Sequence, residues 1–140
     1  MIAFIFIDKY PLVIALVFVI AVIATPVPSK GLFVARAATA LVIAVLLAHL
    51  NRMTGFWQAH LIFPSGHTTF CAGLTWSLAM LRPWTLFFTI PLLIAMGVEL
   101  VLLGFHCVFD IWGAFPLVIV IYGMIHACWR LPGDPMLTDR

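Results

Sequence analysis

Long apolar runs alternate with short polar breaks along this chain, and the breaks carry nearly all of its chemistry. A run of about 20 apolar residues, coiled as a helix, matches the ~30 Å hydrocarbon core of a bilayer. The runs fall at about 11–27, 32–50, 65–81, 84–104 and 107–129, separated by Pro26 and Pro28, by Asn51-Arg52 and the stretch MTGFWQAHLIFP, by Arg82-Pro83, and by the turn before His106. This pattern predicts an all-α fold: a polytopic membrane helix bundle of about five transmembrane helices, forming a single domain over 1–140. The second connector holds Trp57, Gln58 and His60, which suit an interfacial loop or a short surface helix. Asp8 and Lys9 follow an apolar start, and no small-residue cleavage site precedes a polar mature region. The first residues therefore read as an interfacial piece leading into the first span, not as a signal peptide.

Composition sharpens this picture. Hydrophobic residues make up 65% of the chain and charged ones 9%, with a mean hydropathy of +1.22. A soluble domain carries about a quarter charged residues to cover its surface, so the solvent of this chain is largely lipid. A net charge of +2 is too small to argue for nucleic acid, and the Lys and Arg residues read as topology signals. With five spans, Lys9, Arg52 and two polar islands share one side, while Lys30, Arg36, Arg82, Arg130 and Arg140 lie toward the other. The more basic side is expected to be cytoplasmic. Both islands would then face the extracytoplasmic side of a plasma or inner membrane. Cys71, Cys107 and Cys128 have neither disulfide-framework nor zinc-ligand spacing and read as packing residues.

The islands are PSGH at 64–67 and GFHCVFD at 104–110. His67 and His106 are 39 positions apart with one break between them. At ~1.5 Å per residue that distance makes one crossing and one return, so both histidines should reach the same membrane face. In the first island, proline ends what precedes it and Ser65 is a good N-cap. Gly66 lets a ligand approach the backbone, and the free N–H groups of the first turn favour an anion such as phosphate. His67 can exchange a proton beside that anion near neutral pH. In the second island, His106 and Asp110 share a helix face at a spacing of four. A carboxylate on one ring nitrogen fixes the tautomer and leaves the other nitrogen as nucleophile or base. Taken singly, each island also reads as a helix cap; ionisable residues inside a membrane are costly and usually functional.

PSGH at 64–67 with LLGFHCVFDIWG at 102–113 resembles the last two signature blocks of the phosphatidic acid phosphatase type 2 superfamily of membrane phosphatases. The resemblance covers roughly residues 61–125. It implies that His106 is the nucleophile forming a phospho-histidine, that Asp110 orients it, and that His67 is the general acid. Ser65 and Gly66 would hold phosphate oxygens, and no metal or other cofactor is implied. The family's first block, a Lys followed by Arg-Pro, is missing. Glu99-Leu100 stands where the family has Ser-Arg before the nucleophile. Arg52 and His60 are the residues expected to supply cationic contacts in their place.

The expected function is therefore a lipid-phosphate phosphatase with a membrane lipid phosphate as its partner. A head-group phosphotransferase is the alternative using the same site. A different class is a catalytically inactive relative serving as a structural or lipid-binding subunit of a membrane complex, and homo-oligomerisation is compatible with either. A proton path or metal site through His67, Glu99, His106 and Asp110 is a third class.

Overall fold

The computed structural model describes residues 9–26, 30–55 and 63–128. Within them the chain forms α1 (Lys9–Ala24), α2 (Lys30–Thr54), α3 (Gly66–Leu81), a 3-10 turn (Pro83–Thr85), α4 (Leu86–Leu102), α5 (Val108–Trp112) and α6 (Ala114–Cys128), with no strand among the described residues. The expected interfacial features at Trp57, Gln58 and His60, the first eight residues, and the end of the last span at Trp129 lie outside the described residues.

Three stretches are long and apolar enough to cross a membrane: Lys30–Thr54, Pro83–Leu102 and Val108–Ile125. The apolar α1 has 16 residues, about 24 Å at ~1.5 Å per residue. The distribution of polarity is that of a membrane protein. Leu12, Leu16 and Ile23 of α1, Phe87, Phe88 and Leu102 of the α4 region, and Phe109 and Trp112 of α5 point outward. Thr68, Thr69, Thr75, Ser77, Thr89 and Asp110 are buried. An apolar exterior around a partly polar interior is stable only where the surroundings are themselves apolar.

α3 is the central element, packing against α1, α2, α4 and α6. Nine of its residues are buried, including Cys71, Ala72, Leu74 and Leu78. α2 meets it along a stripe of small buried residues, Ala37, Ala40, Ala44 and Ala48, closed by Asn51. Such a stripe lets backbones approach closely where no hydrophobic force drives helices together in lipid. The Tyr122 hydroxyl bridges three helices: it donates to the Ala37 carbonyl at 3.4 Å and accepts from Ser77 Oγ at 3.0 Å.

The helix ends gather in two sets. At one end, Arg82 Nε donates to Thr25 Oγ1 at 3.2 Å, Lys30 Nζ donates to the Ile23 carbonyl at 2.8 Å, and Phe18 stacks on Phe33. At the other end, Asn51 donates to the Phe63 carbonyl, and the Ser65 N–H donates to the Asp110 carbonyl at 3.0 Å. Successive long helices thus run in alternating directions.

One boundary differs from the sequence expectation, and one helix carries a local irregularity. The second helix does not stop at residue 50 but runs on to Thr54, capped by the Gly55 N–H donating to the Asn51 carbonyl at 2.8 Å. Gly55 has a φ of +62°, the left-handed conformation that ends helices. The last stretch loses one helical bond at Gly113, between α5 and α6, because Pro116 lacks the N–H that would bond the Trp112 carbonyl. Gly113 nevertheless keeps helical dihedrals and its own N–H bonds the Phe109 carbonyl at 2.9 Å, so Val108–Ile125 runs on as one crossing stretch.

Candidate functional site

Three local devices place the site residues. Ser65, fully buried, caps α3, its Oγ accepting from the Thr68 N–H at 3.4 Å. Its carbonyl takes both the Thr69 N–H and Thr69 Oγ1 at 2.8 Å, which fixes the first turn and leaves Gly66 and His67 on its exposed side. At the end of α4, the Gly104 N–H donates to the Val101 carbonyl and the Phe105 N–H to the Leu100 carbonyl, each at 3.0 Å. This is a Schellman closure around Gly104 at φ +73°, and it turns the chain so that His106 faces α3. In α5, the Asp110 carboxylate accepts the Cys107 N–H at 2.8 Å. That bond ties the acid to the residue following the histidine.

The two islands are joined directly by the Ser65 N–H to Asp110 carbonyl bond. His106 Nδ1 is 3.6 Å from Asp110 Oδ2, an ion-pair separation too long for a hydrogen bond. Both Nδ1 and the other carboxylate oxygen, Oδ1, are buried without a hydrogen-bond partner. With Nδ1 turned toward the acid, Nε2 is left on the opposite edge of the ring. Burial lowers the pKa of His106 from its ordinary 6.5, with smaller contributions from the positive charges of His67 and Arg52; Asp110 acts in the opposite direction.

These residues border a cleft of about 740 Å³ at this end of the bundle, a size that suits a small-molecule ligand. Arg52 and His49 of α2, Gly66 and His67 of α3, and His106 share its wall. Its remaining surface is apolar, including Leu12, Val45, Phe70, Leu100 and Phe105. Of the expected site residues, the structure brings Arg52, Gly66, His67 and His106 to the cleft. Ser65 and Asp110 stand behind the wall as buried supports, and His60 lies outside the described residues. Glu99 is not among the residues that line the cleft: it is half-buried and lies near the Tyr10 hydroxyl.

His49 is the site residue that sequence reasoning missed. It precedes Arg52 by three positions, so the two share a face of α2. That relation becomes visible only once the helix extends beyond residue 50. Among the described residues no group of three His, Cys, Asp or Glu side chains is placed to hold a metal ion.

No family model, curated protein or solved structure matches this chain.

Proposed function

We propose that this chain is a membrane-embedded phosphatase of lipid phosphates, a divergent member of the phosphatidic acid phosphatase type 2 superfamily that crosses the bilayer five times. The observation that carries this reading is the meeting of His67 and His106 on one cleft with Arg52, while Asp110 stands behind the ring of His106. One side of the cleft is cationic and the other apolar, which fits an anionic head group attached to a hydrocarbon tail.

In the reaction, His106 Nε2 attacks phosphorus and the bond from phosphorus to the lipid oxygen breaks. His67, as imidazolium, gives that oxygen its proton. Water then attacks the phospho-histidine, the now neutral His67 takes the water proton, and phosphate leaves with His106 restored. Asp110, 3.6 Å from Nδ1, stabilises the positive charge that the ring acquires. Arg52 and the first-turn N–H groups of α3 neutralise the phosphoryl oxygens; such positioning and charge stabilisation is the main demand of phosphoryl transfer. Lys30, Arg36 and Arg82 gather at the end opposite the cleft, and the excess of basic residues there argues for a cytoplasmic location of that end. The cleft would face the extracytoplasmic side.

A second reading rests on Leu100, which is buried at the cleft wall where the resemblance expects arginine. Each charge-assisted bond to phosphate contributes about 1.5–3 kcal/mol, so a missing arginine argues for a non-catalytic lipid-binding subunit. The test is incubation of purified protein with a panel of labelled lipid phosphates, wild type against His106→Asn. The phosphatase reading expects phosphate release and an acid-labile phospho-protein, both absent in the variant. Binding without release or label across the panel would leave the non-catalytic reading.

A further inference from the structure

Among the described residues, the lining of the cleft holds four side chains that carry or can acquire positive charge: His49, Arg52, His67 and His106. Among the described residues it contains no carboxylate. Glu99 is turned toward Tyr10, and Asp110 lies behind His106, buried and engaged with the Cys107 N–H. Two of the four cations, His67 and His106, already have roles in the chemistry. The other two lie on the last turns of α2, where the negative end of the helix dipole favours cations, and both are exposed on the cleft side of the buried alanine stripe. Three histidines at one cleft could suggest a metal, but they are not gathered into a metal-binding group.

We infer that His49 is a substrate-binding residue. With Arg52 it forms a second cationic wall, facing the α3 N-terminus, that grips the phosphate monoester of the ligand in place of the basic residues missing from the sequence. This deepens the reading of the cleft as a phosphate site, though it does not require turnover. An imidazolium and a guanidinium on one helix face can each give a charge-assisted hydrogen bond to different oxygens of one phosphate. The Leu12 and Val45 side chains nearby would meet the first carbons of a lipid tail.

The test is calorimetric titration of the detergent-solubilised protein with dihexanoyl phosphatidate and, separately, with inorganic phosphate, using wild type, His49→Ala, His49→Gln and His49→Lys. Wild type is expected to bind the lipid phosphate. Affinity should fall about 10- to 100-fold in the Ala and Gln variants, the loss of one charge-assisted bond. The Lys variant should recover most of it, while all three keep the wild-type melting temperature, since His49 is exposed. Binding of inorganic phosphate with the same dependence on His49 would support the wall and identify free phosphate as its ligand. Unchanged affinity in His49→Ala, or no binding of either probe by wild type, would overturn the inference. Hydrolysis is read on the same samples: binding that depends on His49 without hydrolysis defeats the phosphatase reading and leaves this one standing.

Discussion

In the proposed reaction His106 would attack phosphorus only as the neutral imidazole, and its burial favours that form. Because its pKa is lowered from 6.5, the acidic limb of a kcat/KM profile governed by this residue should fall below pH 6.5. Two substitutions should move that limb in opposite directions. Asp110→Asn removes the negative charge that favours protonation, so the limb should shift to lower pH even as the rate drops. Arg52→Ala removes a positive charge that opposes protonation, so the limb should shift to higher pH, alongside a raised KM. A pH series on the three proteins decides it; a shift of the same sign in both variants would contradict the charge arrangement. The residues of this pair were legible as residues, since PSGH and the spacing of four between His106 and Asp110 are local features. Their meeting was legible by counting one crossing and one return. The neighbour of Glu99 was not: Tyr10 is 89 positions away, and no local pattern announces so distant a contact.

At the level of elements, the packing of α3 against its neighbours rests on close approach and a few buried hydrogen bonds. Tyr122→Phe leaves the ring in place and removes the hydroxyl that joins Ala37 of α2 to Ser77 of α3. Hydrogen bonds between membrane helices are worth about 0.6 kcal/mol on average and up to about 1.7. Thermal unfolding in detergent should therefore show a loss of about 1 kcal/mol; a loss above about 3 would mean that the ring has moved as well. Gly113 is more demanding. A Cβ there would collide with the Phe63 ring, which leads directly into Pro64 and the Ser65 cap. Gly113→Ala should destabilise by about 1–3 kcal/mol, the usual result of overpacking, and should lower activity beyond that by displacing the first island. Wild-type activity at a reduced melting temperature would separate the two effects. The existence and order of the long helices could be read from apolar runs. The bond lost at Gly113 follows from Pro116, and the last run stays helical and apolar across it. The extra turn of α2 escaped notice because Asn51 and Arg52 look like a span's polar end, although Asn51 is buried and tied to Phe63.

For the molecule as a whole, the arrangement of helix ends makes a topological statement that native cysteines can test. Cys107 sits in the turn that carries His106, at the cleft end, and is half-buried; Cys128 ends α6 toward the opposite end and is exposed; Cys71 is buried in the core. All three are free thiols. If the chain crosses the bilayer with its cleft outward, a membrane-impermeant maleimide added to intact cells should label Cys107 and spare Cys128, and permeabilisation should expose Cys128. Cys71 should resist labelling until the protein unfolds. Because Cys107 is partly covered, Met53→Cys gives a more accessible reporter for the same side: position 53 is 72% exposed and one residue from Arg52. Single-cysteine variants with Cys71→Ala keep the signals separate. The reverse pattern, Cys128 labelled from outside, would turn the cleft toward the cytoplasm and give the site a cytoplasmic substrate. Labelling of Cys128 and position 53 from the same side would contradict the alternating path, because α2 and α6 would then end on one face. The apolar exterior alone distinguishes none of these outcomes, since a helix buries as much hydrocarbon pointing up as down. The proposed orientation therefore rests on the few basic residues, with Lys30, Arg36 and Arg82 at the end opposite the cleft favouring a cytoplasmic location for that end.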